Sequence, residues 1–184
     1  IFKSDHGEEF LEHGKLTHSK NLYNETVRIP LFIRLPGQTC AMNSREVVSI
    51  IDIAPTLIDI AGGKIPPSWQ GRALINKNGQ VPFQEGRYVL AHFHRYINLP
   101  LNTLIGSSWK FIVNAKTQEQ ELYNLQNDPG EFNNLAKSQP ETLKQQSEIF
   151  RKLVLSFPPA PITQEKKPLQ KEKEEELRSL GYIQ

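Results

Sequence analysis

Three of the five histidines, His6, His13 and His18, fall within the first twenty residues of this 184-residue chain. Asp5, Glu8, Glu9, Glu12, Lys15 and Lys20 share that stretch. Asp5-His6-Gly7 follows closely on the apolar pair Ile1-Phe2, which reads as the end of a strand. Ligands of open α/β sheets gather at the carboxyl ends of strands. There Asp5 offers a hard oxygen and His6 a borderline nitrogen, a pair suited to a divalent ion, whereas an Asp alone would suit Ca²⁺ or Mg²⁺. Gly7 lets the backbone turn away without a Cβ in the path. Two donors do not complete a site, and no later stretch offers an obvious second pair. The competing reading of Asp5-His6 is a plain polar turn. His92 and His94, two apart on one strand face, read as sheet-surface residues.

Nucleophiles are scarce. The single cysteine, Cys40, excludes an internal disulfide framework and a thiolate zinc site, and no histidine base stands near it in sequence. Lys and Arg total 22 against 20 acidic residues, a formal charge of +2, with no clustered basic excess to mark a nucleic-acid binder. No apolar run approaches the ~20 residues of a membrane span. A 38% hydrophobic content with nine Phe, five Tyr and two Trp is enough for a buried core and rules out disorder over the whole length.

The elements that must hold these residues follow from pattern. Leu31–Leu35 reads as a strand behind Pro30, ended by Pro36-Gly37. Asp52 reads as the N-cap of a helix over Ile53–Ala61, with Pro55 in its first turn and Gly62-Gly63 as its stop. Tyr88–Phe93, Leu104–Ile105, Trp109–Asn114 and Glu121–Leu125 read as strands, the last three antiparallel, with turns at Gly106-Ser107-Ser108 and Asn127-Asp128-Pro129-Gly130. Pro140 opens a helix in which Phe150, Leu153, Val154 and Phe157 share a face, set to cover the small sheet with Phe150, Leu153 and Phe157. Past Pro158 the tail is charge-balanced, with a short helix expected near 172–180 and Leu180 and Tyr182 as anchors.

Ser4–Gly37 (SDHGEEFLEHGKLTHSKNLYNETVRIPLFIRLPG) resembles the sulfatase family of the alkaline-phosphatase-like superfamily, whose members carry a strand ending in S/G-D-H/N-G-E and then an LY-x-E-x-x-R-x-P-L block. Val47–Gly63 (VVSIIDIAPTLIDIAGG) looks like the next block, and Gln70-Gly71-Arg72-Ala73-Leu74 like the W/x-G-R-S-L turn. Glu121–Ala136 is similar to the ELYDLxxDPxExxNLA signature, and Leu177–Tyr182 to a common terminal motif. The blocks occur in family order over nearly the whole chain.

The resemblance implies an α/β fold: the C-terminal part of an alkaline-phosphatase-like mixed sheet with helices, then a small antiparallel sheet subdomain with a packed helix. Residues 1–95 would finish the catalytic domain, 96–157 form the subdomain, and 158–184 the charged tail. It also implies roles. Asp5 and His6 match the metal-binding pair, with Ca²⁺ the expected ion and Mn²⁺, Mg²⁺ or Zn²⁺ as alternatives. His18 and Lys20 match residues that contact the transferred anion. His13 shapes the loop, and Arg28 is structural, an ion-pair or capping residue. No catalytic residue is assigned. The family's nucleophile is a formylglycine made from C/S-x-P-x-R, and that motif is absent here. Cys40-Ala41-Met42-Asn43-Ser44-Arg45 lacks the Pro and places its Arg one position late.

The leading expectation is therefore the C-terminal part of a sulfatase-type hydrolase that cleaves sulfate esters by metal-assisted nucleophilic substitution. The chain would be inactive alone, its missing N-terminal polypeptide a necessary partner and a sulfated small molecule or glycan its substrate. The start at Ile1-Phe2 reads as a cut through a strand. Two alternatives stand beside it: a phosphodiester or phosphonate hydrolase, or phosphoethanolamine transferase, of the same superfamily; and a non-catalytic binding or structural module. The resemblance favours a periplasmic or extracellular location.

Overall fold

A computed structural model of the chain describes residues 1–18, 20–38, 43–76, 79, 81, 86–93, 100–157, 175 and 178. Cys40, His94, Leu180 and Tyr182 lie outside them; of the helix expected at 172–180, Glu175 and Arg178 are described, and both are helical. The chain divides into two units, Ile1–Lys152 and Leu153–Gln184. The first is a mixed α/β arrangement of small antiparallel sheets.

Four strands build the largest sheet: β5 (Val89–Phe93), β6 (Leu101–Ile105), β7 (Trp109–Asn114) and β8 (Gln120–Asn124) pair antiparallel in sequence order. β6 is longer than the sequence pattern indicates, because Leu101–Thr103 continue the ladder opposite Ile112–Asn114. The turn after β6 closes where Gly106 N–H donates to the Trp109 carbonyl (2.9 Å). Every residue of β7 from Lys110 to Asn114 is buried, so both faces of this strand are covered. On one face Phe111 meets Phe150 of helix α3 (Pro140–Ser156), ring centroids 5.7 Å apart. Leu104, Phe111 and Leu122 are at most 1% exposed, and each such side chain contributes roughly 1.5–3 kcal/mol by burial. Leu153 and Phe157, which the helical spacing pairs with Phe150, belong to the second unit.

Lys110 and Ile112 point to the other face, where Tyr123 and Glu121 stand opposite them in register. That face receives the N-terminal segment. The segment contains β1 (Phe2–Lys3), a hairpin of β2 (Glu9–Phe10) and β3 (Leu16–Thr17), one helical turn α1 (Asn24–Val27), and β4 (Leu31–Phe32), which pairs antiparallel with β1. The strand expected over Leu31–Leu35 is confined to its first two residues, and α1 occupies what the sequence pattern leaves as loop. Arg28 is exposed and closes α1 with its backbone N–H, bonded to the Asn24 carbonyl (2.9 Å).

Helix α2 spans Ile53–Ile60 and ends at Gly62 (φ +75°), as the glycine pair indicates. Asp52 holds the N-cap position expected of it, but its side chain is not the cap of α2. A 3-10 turn over Ile50–Asp52 leads into the helix, so Asp52 already has helical dihedrals and its side chain bonds no N–H of α2. The carboxylate turns back instead. It accepts the N–H groups of Ser49 (2.8 Å) and Arg72 (2.9 Å) and both arms of the Arg87 guanidinium (2.6 and 2.8 Å). Thr56 extends the clamp, donating to the Asp52 carbonyl (2.6 Å) and accepting the Leu74 N–H (2.9 Å). Gly71 lies directly against the Ile51 carbonyl, where a Cβ has no room. The Asp-Ile-x-Pro-Thr-Leu and Gln-Gly-Arg-Ala-Leu blocks are thus two halves of one hydrogen-bonded corner.

Candidate functional site

Gly7 sets the site's position. Its N–H donates to the Thr26 carbonyl (2.9 Å), and the Glu25 carbonyl fills the space a Cβ would take. The Asp5–Glu8 segment is therefore pressed onto α1. Glu9, wholly buried, organises the hairpin that follows: Oε1 accepts the N–H groups of His13 and Lys15 (both 2.9 Å), and Oε2 takes the Asn21 amide. That buried carboxylate brings His18 back over His6.

The two imidazoles lie with ring centroids 3.9 Å apart and planes inclined by 31°. His18 Nδ1 is 2.6 Å from Glu8 Oε1, and His6 Nδ1 is 2.9 Å from the Gly7 carbonyl. Both acceptors call for a proton on Nδ1, which leaves Nε2 of each ring outside those bonds, a lone pair on the neutral ring and a donor on the imidazolium. Asp5 Oδ2 lies 3.8 Å from His6 Nε2. The Asp5 carboxyl is held below its ordinary value by its own backbone N–H and that of His6, then by the His6 ring. It is thus ionised at neutral pH, the form that ligates a cation.

Of the four residues singled out from sequence, Asp5 and His6 stand side by side and His18 packs on His6. Lys20 does not join them, since its Nζ donates to the Leu16 carbonyl (3.1 Å). His13 lies in the loop's foundation. It stacks on Tyr23 (3.8 Å, 19°), with Nε2 3.1 Å from the Glu131 carbonyl and Nδ1 3.2 Å from Glu25 Oε1. Glu8 is not among the residues that sequence reasoning picks out. Its two-residue offset from His6 is the available signal, but only the hairpin shows that His18 meets it.

The loop is anchored to the sheet by buried polar groups. Tyr23 and Tyr123 hydroxyls both donate to Glu121 Oε2 (2.9 and 2.8 Å). Burial, then the Glu121 charge, pushes Tyr23 up to about 12. Lys110 Nζ meets Glu131 Oε1 at 2.6 Å, both side chains fully buried, and Glu131 Oε2 accepts the Asn24 N–H (2.5 Å).

A mixed α/β chain with small antiparallel sheets and a C-terminal helix, carrying an Asp-His pair beside its first strand, defines the class: the C-terminal region of a sulfatase-type fold. The chain belongs to the sulfatase family, since the family model described as N-sulphoglucosamine sulphohydrolase, C-terminal, matches residues 12–156. It is 32% identical to arylsulfatase K of Mus musculus over 164 residues, covering 84% of this chain and 30% of that protein. It shares its fold with a 2-O GAG sulfatase (24% identity, TM-score 0.74, 83% of this chain and 35% of that one). It is likewise similar to an enzyme solved with its substrate D-glucosamine-2-N,6-O-disulfate (26% identity, TM-score 0.66, 82% and 33%). The chain spans about a third of the length of these relatives. Among the described residues no helix is long and apolar enough to cross a membrane.

Family membership implies a divalent metal and a formylglycine in full-length enzymes. The Asp5–His6 pair fits part of a metal's ligand set: one ionised carboxylate and one imidazole lone pair, 3.8 Å apart and open to solvent.

Proposed function

We propose that this chain is the C-terminal part of a sulfatase-type hydrolase that cleaves sulfate esters of a small molecule or glycan by metal-assisted nucleophilic substitution. The observation that carries the reading is the packing of His18 on His6 beside Asp5, inside a chain of sulfatase descent. Asp5 and His6 would hold the divalent ion, Ca²⁺ in the first instance. A bound ion supplies charge neutralisation at the ester oxygens. His18, its ring held by Glu8, presents its far nitrogen to the transferred anion, where a donor stabilises developing charge. Lys20 adds a second cation once its ammonium leaves the Leu16 carbonyl. The formylglycine nucleophile comes from polypeptide outside these 184 residues.

In this reading the residues before β5 finish the catalytic domain, the small subdomain expected over 96–157 begins with β5, which pairs with β6, and 158–184 are a tail. Exposed apolar side chains support it. Phe2 and Phe32, with rings 5.9 Å apart across β1 and β4, are 67% and 64% exposed, and Ile50, Ile51 and Leu57 are also open. The remaining catalytic-domain polypeptide would cover them.

The test compares p-nitrophenyl sulfate with a phosphate diester, using a polypeptide of the relatives' full length that ends in this segment. Sulfate turnover should dominate, and His18→Ala should lower kcat/KM for sulfate about 10²-fold or more. The 184 residues alone should turn over neither ester. Diester turnover well above sulfate turnover would replace the reading with the phosphoester one.

A further inference from the structure

A cavity of about 140 Å³ opens at the turn after β6, with Arg87, Tyr88, Gly106, Ser107, Ser108 and Trp109 in its lining. Leu90, Leu104 and Phe111 stand opposite one another in register, on the sheet face that meets Phe150 of α3. Tyr88, Gly106 and Trp109 each lie two residues from one of them and so continue that face. The Asp5–His6 loop and α1 pack on the other face, where Lys110 reaches Asn24. Gly106 is buried, and a Cβ there would come within 2.7 Å of Tyr88 Cε1. Its missing side chain gives the Tyr88 ring a place beside the turn. Tyr88 and Trp109 are half-buried and Ser107 is exposed. Among the described residues, the hydroxyls of Tyr88, Ser107 and Ser108 and the Trp109 indole N–H have no hydrogen-bond partner within the protein. Arg87 brings no uncommitted charge, since both arms of its guanidinium hold Asp52 at 2.6 and 2.8 Å.

We propose that this cavity binds one uncharged pyranose unit of a saccharide, as an accessory glycan site on the sheet face turned away from Asp5 and His6. A pyranose has C–H faces that lie against an aromatic ring, and a rim of hydroxyls that exchange hydrogen bonds with Tyr88, Ser107, Ser108 and the Trp109 indole. A sulfate or carboxylate would give up water here without meeting a free cation. The volume is below the ~300 Å³ at which pockets for drug-sized ligands begin, so a single ring enters and the neighbouring units stay in solvent. The inference rests on the sulfatase reading only for a glycan as the natural ligand. In that setting the cavity holds a stretch of polymer away from the sulfate ester being cut.

The experiment uses a polypeptide of the relatives' full length that ends in this segment. Neutral tetrasaccharides of glucose, galactose and N-acetylglucosamine are titrated by calorimetry in excess inorganic sulfate, which fills the proposed anion site. At least one should bind once per chain with a millimolar Kd, as expected of so few contacts. The double variant Tyr88→Phe/Ser107→Ala removes two hydroxyls and keeps both rings, and should weaken that sugar about fivefold or more. Trp109→Ala should abolish the binding. Melting curves accompany each variant, and if Trp109→Ala melts early the double variant decides. Binding of none of the three sugars, affinity unmoved by the double variant, binding seen only when sulfate is left out, or adenosine bound more tightly than every sugar would each overturn the site. Binding is read without turnover, so failure here leaves the sulfatase reading intact, and a phosphoester activity would leave this site intact.

Discussion

Lys110 on β7 and Glu131 in the turn after β8 form an ion pair at 2.6 Å with neither side chain reaching solvent. Burial lowers the Lys110 pKa and raises that of Glu131, and the mutual contact opposes both shifts. The pair is also the joint between sheet and loop: Lys110 Nζ reaches Asn24 Oδ1 (3.2 Å), and Glu131 takes the Asn24 N–H. Losing one partner strands the other without water. Lys110→Met or Glu131→Gln should therefore destabilise the chain by about 3–5 kcal/mol, read from urea melts, and the double variant should recover part of that loss. A double variant as unstable as the sum of the singles would show that the two residues act independently.

Asp52 gives a pH dependence of definite sign. Burial pushes its pKa up, but the Arg87 guanidinium and the Arg72 and Ser49 N–H groups outweigh it, so the folded value lies below the ordinary one. A depressed carboxyl contributes stability above the unfolded value of about 3.9 and loses it as pH falls through the folded value. The wild-type chain should lose stability below about pH 4, and Asp52→Asn should flatten that acid limb while costing about 2–3 kcal/mol at neutral pH. Thermal melts across pH 2–7 test it; parallel curves for the two proteins would contradict the assignment.

Gly7 holds the Asp5–Glu8 segment against α1 in a space a methyl group cannot share. Gly7→Ala should push the segment away, with a loss of roughly 1–3 kcal/mol from overpacking. It should also carry His6 away from His18, since His6 and Glu8 flank the displaced residue, and so slow sulfate-ester turnover by the full-length polypeptide. A Cβ added at Gly14 would meet nothing within 4 Å, but the φ there is +77°. Gly14→Ala therefore strains the backbone of the hairpin turn alone and should leave that turnover closer to wild type. Equal effects of the two substitutions on turnover would remove the packing argument.

The family and most of the regular elements are legible in the order of amino acids alone. β7 and α3 lie where alternation, helical spacing, Pro140 and the glycine turns place them, because backbone preference and burial periodicity act over a few residues. The ordered blocks form a readable signature, but they do not say what each residue in them does. That is settled by tertiary contacts. Asp52 holds the cap position, yet its carboxylate bonds Arg87, 35 residues away. Glu121 of the Glu-Leu-Tyr block accepts from Tyr23, 98 residues away. Lys110 puts a charge in the middle of the sheet, and α1 and the turn at Glu131 enclose it. Glu8 gains its place beside His18 only when buried Glu9 folds the hairpin, and Lys20 turns to a nearby carbonyl. A side chain's charge and reach are written in the sequence. Its partner is chosen by which distant backbone arrives within hydrogen-bonding reach, and no local pattern encodes that.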